Sequence, residues 1–465
     1  MKSYVYTPLA AASYMTRLLQ ILPGPDDSDI VCVLHEYLIP INNAFGPYEC
    51  LSYVWGDSTQ RRRIYIQDDS SSAEHVNELL YLDVTSNLFI ALHRLRNESF
   101  PRLMWIDAIC INQADLRERA TQVQYMSTIY SSAGRVLVWL GEEADDSTRL
   151  FAAIEAVAME SRRVQTARTK RVPRQPLVAL LKRPWFHRVW ILQEMAAARQ
   201  LVVICGEAKL TGSTFVQGLA SAKNWTDPFL RHLGTTVLYM MSWDVPSIVP
   251  TTLSPTALVA ASPTRLGILP LGLLLEKFHL HEASDRRDKI FALLGMCEDE
   301  ELAGTVLKPD YTQPWSSVFK SAIQYLLGTD CSIYTWDDQE QAVIIGYGWS
   351  LGRVGAISET SEIVRVTSWH FSGPRDWGNT WNVSWQNQTY CKSLAEGDVL
   401  WLMSGAKHPC IIRHCVDHFD VIAISVPLTT IFLNREGEET PLSWGLLHSA
   451  MINGQGRPVS LVWDW

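Results

Sequence analysis

The chain has 465 residues, 47% hydrophobic and 19% charged, which fits a folded globular protein of two or three domains with a large core. A formal charge of −9 excludes a general nucleic-acid binder, because such binding needs a concentrated basic face. Nine cysteines are dispersed without a CxxC pair or metal-ligand spacing, as expected of reduced thiols in a cytosolic protein, so no metal site is expected.

In chain order, residues 1–47 form a leader. It holds Tyr6-Thr7-Pro8-Leu9, the run 16–22, a Pro23-Gly24-Pro25-Asp26-Asp27 turn and a strand candidate at 30–38. Lys2 is followed by a mixed segment containing Arg17, which does not read as a signal peptide. A first domain strand is expected at about 50–55, ended by Gly56-Asp57, and another at 63–67. Residues 68–74 are polar and read as a loop. Thr85 or Ser86 can cap a helix over 87–95, whose Leu88, Ala91, Leu92 and Leu95 share one face.

Residues 103–111 are a short apolar run interrupted by Asp107 and read as a strand covered on both faces. Leu116, Ala120, Val123, Ser127, Tyr130 and Ala133 then recur every three or four residues, the mark of an amphipathic helix. Asp115 and Glu118 resemble its capping box. Residues 135–140 complete a βαβ unit, whose crossover is right-handed by rule. An acidic start at 142–147 leads into an Ala-rich helix to about 159. The basic segment 161–176 reads either as a solvated linker or as a phosphate-facing patch. Pro184 opens a helix to about 198, and 201–205 is the next strand.

The domain of interest is therefore placed at 48–205, followed by a mostly helical or irregular region at 206–341. Within it, 225–264 is low in charge and dotted with Pro and Ser, while 271–281, 288–296 and 322–327 read as helical. The stretch 266–275 is apolar but too short to span a bilayer, and it contains Pro270. From 342 to 465, short runs of Val, Ile and Trp bounded by Gly suggest strands, with 397–413 a hairpin or small-barrel segment. Sequons at Asn97, Asn224, Asn382 and Asn387 read as coincidences in a protein that is not secreted. The expected fold is α/β: a mainly parallel sheet flanked by helices, then an α+β C-terminal region with a small β unit.

Four stretches carry a family resemblance. They are Tyr48-Glu49-Cys50-Leu51-Ser52-Tyr53-Val54-Trp55-Gly56-Asp57, the W-I-D-A-I-C-I-N-Q run at 105–113 with its continuation to Gly141, R-P-W-F-H-R-V-W-I-L-Q-E at 183–194, and R-D-K-I-F-A-L-L-G at 287–295. Together they resemble the heterokaryon-incompatibility (HET) domain of filamentous fungi and the segment that follows it in long members. The resemblance implies a cytoplasmic protein of fungal self/non-self recognition, with programmed cell death and innate-immune signalling as its context.

The Trp190-x-x-x-Glu194 spacing also resembles the closing motif of Toll/interleukin-receptor (TIR) domains, some of which hydrolyse NAD with a helix glutamate. That likeness implies a TIR/flavodoxin-like sheet and a catalytic Glu194. Ser52, Asp57, Asp107 and Trp190 would then border the substrate. NAD would be a substrate rather than a cofactor. Trp190 and Glu194 stack one turn apart on a helix, and His187 falls on the same face.

Bland readings stand beside these. Glu194 can pair with Arg183 or Arg188. Asp107 can be satisfied by backbone or an arginine. Asn112 and Gln113 can cap the next helix rather than bind a ligand. Cys110 reads as a buried inert thiol. Two functions follow: an NAD or nucleotide glycohydrolase switched by self-association, or a non-enzymatic oligomerising scaffold that recruits partners. An enzyme requires Ser52, Asp107, Trp190 and Glu194 to converge on one cleft.

Overall fold

The computed structural model describes residues 2–10, 14–40, 45–67, 79–161, 171–222, 228–241, 268–298, 306–355, 363–367, 381–386, 392–426, 430–435, 438–442 and 456–465. The expected loop at 68–74, most of the basic segment 161–176 and, of the stretch 225–264, residues 225–227 and 242–264 lie outside these residues, as do Asn224 and Asn387. The chain divides into two compact units. One is residues 1–266 with 309–311, and the other is residues 267–308 with 312–465.

The first unit is built on a nine-stranded sheet. Its strands are β1 (Met15–Ile21), β2 (Val31–Leu38), β3 (Glu49–Ser52), β4 (Arg61–Gln67), β5 (Leu79–Thr85), β6 (Arg102–Trp105), β7 (Arg135–Trp139), β8 (Leu201–Cys205) and β9 (Ala208–Thr211). They lie in the order β5-β4-β2-β1-β6-β3-β7-β8-β9. The centre, β6-β3-β7-β8, is parallel. Taken in chain order these four strands run second, first, third, fourth, which is a doubly wound arrangement.

The sheet as a whole is mixed, not mainly parallel. Four of its eight neighbouring pairs are antiparallel, β5–β4, β2–β1, β1–β6 and β9–β8. Connection length explains the clearest case, β8–β9. Short links such as Gly206-Glu207, where Gly206 adopts φ +55, can only fold a strand back on its neighbour. Leader residues take part directly, since β1 pairs along β6. Arg17 of β1 is almost fully buried and donates to Glu118 Oε1 (2.6 Å), to the Cys110 carbonyl (3.1 Å) and to the Thr7 carbonyl (2.6 Å).

Nine of the remaining elements surround this sheet or follow it in the first unit: α1 (Ser86–Leu95), α2 (Asp107–Cys110), α3 (Leu116–Ser132), α4 (Ser147–Ser161), α5 (Arg174–Leu181), a 3-10 turn (Pro184–His187), α6 (Trp190–Ala197), α7 (Gly212–Ser221) and α8 (Pro228–Met241). Thr85 caps α1, and the expected Leu88, Ala91, Leu92 and Leu95 are its buried residues. Asp115 caps α3 by accepting from the N–H groups of Arg117 and Glu118. Glu118 does not complete the expected capping box. Its Oε1 accepts from the Asn112 N–H (2.7 Å) and pairs with Arg17, a cation the local pattern could not supply. Part of the 225–264 stretch, expected to be irregular, is the helix α8. Among the described residues no helix is long and apolar enough to cross a membrane.

The second unit begins with α9 (Leu271–Phe278), α10 (Asp288–Leu294) and α11 (Trp315–Leu327). Its strands are β10 (Ser332–Thr335), β11 (Gln341–Val354), β12 (Ile363–Thr367), β13 (Trp381–Gln386), β14 (Val399–Met403), β15 (Cys410–His414), β16 (Phe419–Ala423), β17 (Thr430–Arg435), β18 (Glu438–Leu442) and β19 (Arg457–Asp464). The pairings β11–β14, β14–β15, β15–β16, β16–β19 and β19–β11 close on themselves, so five strands form a small barrel. The 397–413 expectation is met by the β14/β15 hairpin, with Val399 opposite Ile412. Gly348 in β11 permits the closure: a Cβ there would stand 2.3 Å from the Leu402 carbonyl and the Trp401 indole nitrogen.

Candidate functional site

In doubly wound sheets, ligands bind beyond the carboxyl ends of the strands, where the strand order reverses. Here the reversal lies between β3 and β7, and β3 ends at Ser52. The Ser52 hydroxyl donates a hydrogen bond to Glu194 Oε2 of α6. It also accepts one from the Trp185 indole N–H at 2.9 Å. Ser52, Trp185 and Glu194 are each only 1–2% exposed. Two regions far apart in sequence thus meet at the end of the central strand: β3, and the 3-10 turn with the α6 that follows it. Packing of α6 on α3 brings Tyr130 to the same place, where its hydroxyl donates to the Leu51 carbonyl (3.1 Å) and lies against Glu194.

Burial pushes the Glu194 carboxyl up to about 7. The Arg188 charge and the Ser52 hydrogen bond oppose that rise without cancelling it. The carboxyl therefore sits near the midpoint between its protonated and ionised forms at neutral pH. Arg188 does not clasp it. Its guanidinium donates to the Tyr53 carbonyl, and its charge acts on both Glu194 and Asp107. Arg183, the other cation considered for Glu194, donates instead to the carbonyls of Leu140 (2.8 Å) and Glu142 (3.0 Å).

Asp107 stands beside this network. The expected strand at 103–111 stops at Trp105, and α2 begins at Asp107. A carboxylate continued along a covered strand would be stripped of water without partners. At the start of α2, Asp107 Oδ1 accepts from the Ala108 N–H (2.7 Å) and Oδ2 from the Trp55 indole (2.9 Å). Burial still raises its pKa, with Arg188 opposing. The Tyr53 hydroxyl is buried next to it without a well-formed hydrogen bond. Gln113 Nε2 donates to the Asp107 carbonyl (2.9 Å), and Asn112 Oδ1 accepts from the Ala114 N–H (3.2 Å), so both residues have local bonding roles.

Ser52 and Glu194 are therefore in direct contact, and Asp107 joins them through the shared field of Arg188. Asp57 is not part of the network. It is exposed, and its Oδ1 accepts from the N–H (2.8 Å) and hydroxyl (2.7 Å) of Thr59. Trp190 is the first residue of α6, half-buried and one turn before Glu194, and it has no hydrogen bond to the network. The continuous helix expected from Pro184 to about 198 is broken at Arg188, whose backbone is extended (φ −71, ψ 136). His187 consequently closes the 3-10 turn and does not share a helix face with Glu194.

Sequence reasoning passed over Trp185 and Tyr130. A usable signal existed for Trp185, because a buried indole N–H needs an acceptor. Cys110 is buried in α2, and burial pushes its thiol up to about 12, in keeping with an inert thiol.

Comparison with known proteins places these residues within one family segment. Residues 48–194 match the family described as Heterokaryon incompatibility protein (HET). Ser52, Asp107, Trp185 and Arg188 lie inside the match, and Glu194 is its last residue. The chain is also similar to the "Heterokaryon incompatibility protein 6, OR allele" of Neurospora crassa, at 29% identity over 372 residues. That alignment covers 67% of this chain and 51% of the other, so this chain spans about half the length of that curated relative. No solved structure matches. The segment from Tyr48 to Glu194 is a HET domain.

Proposed function

We propose that this chain acts in heterokaryon incompatibility as a nucleotide glycohydrolase of TIR-like chemistry, with Glu194 as its catalytic carboxylate and NAD as its substrate class. One observation carries the reading. Glu194 is a buried carboxyl at the carboxyl end of the central parallel strand, hydrogen-bonded to Ser52 and raised to about 7. Perturbed carboxyls in such places are the usual material of active sites.

Breaking the bond from ribose to nicotinamide leaves positive charge on the sugar, while nicotinamide departs neutral. A fixed negative charge beside the sugar stabilises that transition state, and no strong acid is required. Ionised Glu194 would supply the charge and accept from a ribose hydroxyl. Ser52, held by Trp185, would keep the carboxylate oriented. Asp107 and Trp190 would border the substrate, and self-association would switch the site on.

A second reading, a non-enzymatic scaffold that oligomerises and recruits partners, is favoured by one observation. Glu194 is 2% exposed, so turnover requires its surroundings to open, whereas a scaffold can leave this network closed. The test is to mix the purified full chain with NAD and follow nicotinamide release, with Glu194→Gln in parallel. The glycohydrolase reading expects release by the native chain and none by the variant. A folded Glu194→Gln protein that still kills fungal cells at full strength would leave only the scaffold.

A further inference from the structure

The second unit carries a cluster that neither the family match nor the proposed site uses. The strands β15 and β16 of the small barrel are joined by a tight turn in which the Cys415 N–H donates to the His418 carbonyl (2.9 Å). This closure makes Cys415 and His418 a facing pair. Asp420 lies two residues beyond His418 on β16, and alternation along a strand returns it to the same face. A thiol, an imidazole and a carboxylate are thereby held together, with their donor atoms all within 4.8 Å of one another. All three residues are partly exposed, so an ion can reach them.

The hydrogen bonding of His418 is a second observation of a different kind. Its Nδ1 lies 2.7 Å from Asp417 Oδ1, while Nε2 lies 3.3 Å from Asp420 Oδ1. A histidine ligand that donates one ring N–H to a carboxylate and turns the other nitrogen to the metal is the usual outer-shell arrangement of protein zinc sites. Nitrogen and oxygen ligands about 2.0–2.1 Å from a tetrahedral ion stand roughly 3.3 Å apart, the spacing found between Nε2 and Asp420 Oδ1. Arg413 lies opposite Asp420; its guanidinium pairs with both oxygens of Asp398 (2.7 and 2.9 Å), and its charge also acts on Asp420 and Cys415, so an incoming ion shares the carboxylate and thiolate with it.

We infer that Cys415, His418 and Asp420 form a site for a divalent transition ion of the zinc class, with Asp417 orienting the imidazole. A mixed sulfur, nitrogen and oxygen set suits zinc and cobalt and disfavours calcium and magnesium. Three protein donors leave a fourth position for water or an outside ligand. The spacing C-x2-H-x-D matches no ordinary zinc motif, which is why a search for paired cysteines passes over it.

The full chain, stripped with chelator and desalted, is titrated with Co2+ while its near-ultraviolet absorbance is followed. One equivalent per chain should produce a thiolate-to-cobalt charge-transfer band that Zn2+ removes. Cys415→Ser should abolish the band. His418→Ala and Asp420→Asn should each weaken binding at least 10-fold. Asp417→Asn should keep the band and weaken binding about 10–100-fold. Should a variant fail to fold, alkylation of Cys415 in the native chain decides, since bound Zn2+ should slow it. The absence of a band, a band unchanged in Cys415→Ser, or alkylation indifferent to Zn2+ would each overturn the site.

Discussion

The two ends of β3, three residues apart, use glutamate in opposite ways. At the amino end Glu49 accepts from Arg102 of β6 and Arg135 of β7, so one carboxylate ties together the three neighbouring parallel strands. Burial alone would raise its pKa, but the two guanidinium groups outweigh it and hold the carboxyl below its usual range. At the carboxyl end Glu194 meets a serine hydroxyl rather than a cation, and there burial wins. A carboxylate clasped by two cations is fixed as an ion and serves as a strut. One held by hydrogen bonds with its charge half-suppressed costs stability when it ionises. Folds tolerate that cost where a site needs it.

The largest expected effect tests whether that cost serves chemistry. Glu194→Gln should lower nicotinamide release from NAD on the order of 1,000-fold, the upper range for losing one group that stabilises transition-state charge. In the proposed chemistry it is the ionised form that acts, so native kcat/KM should climb as pH rises through about 7 and level off above it. A pH profile falling through 7 would assign Glu194 as an acid and break the proposed chemistry.

The next effect is on stability, and its sign is opposite to that of most core substitutions. The folded pKa of Glu194 lies above its ordinary value of 4.5. The folded chain therefore holds more protons between these values than the unfolded chain does, and stability falls as pH rises from about 4.5 to about 7. Glu194→Gln removes that loss. Denaturant unfolding should show the variant more stable by roughly 3 kcal/mol at pH 8, and equal to the native chain near pH 4. A variant less stable than the native chain at pH 8 would mean that the carboxylate is a strut after all.

Glu49→Gln should do the reverse. It leaves Arg102 and Arg135 side by side without their shared anion, and a loss of about 2 kcal/mol at pH 7 is expected, discounted for the partial exposure of both arginines. Its folded pKa is depressed, so the contribution is present above the ordinary value of 4.5 and fades as pH falls through the folded value. The gap between native and variant should therefore close in acid. Thus one substitution loses its advantage in acid, and the other loses its penalty there.

These contrasts show what could be read from the chain beforehand. The parallel core was legible, because β7 and β8 are apolar runs of ordinary strand length and α1 shows clean 3.6-residue spacing; the α3 face was read less well, since Leu116 is exposed and Gln122 buried. The antiparallel additions were not, because pairing partners follow from connection geometry rather than from any one strand's residues. The Ser52–Glu194 contact was half legible. Both residues stood out in motifs, but only tertiary packing joins positions 142 residues apart. Glu118 illustrates the same limit. Its local pattern fits a capping box, and the distant Arg17 redirects it. Trp190 was favoured over Trp185 because a helix was assumed to run unbroken through Arg188.

The smallest expected effect marks the edge of the carboxyl-end region. Asp57 follows β3 closely enough to be read as a pocket residue, yet its carboxylate is turned to Thr59. The bonds from the Thr59 hydroxyl and N–H hold it below the usual carboxylate range. Asp57→Asn keeps an Oδ1 acceptor for both bonds and removes only a solvated charge. The unfolding midpoint should stay unchanged, and NAD turnover should remain within about twofold of native, as for surface changes away from such features. A tenfold loss of turnover with an unchanged midpoint would place the 53–57 turn against the substrate. The region opposite Glu49 would then extend beyond the buried network, and Trp55, which joins this turn to Asp107, would be the next residue to vary.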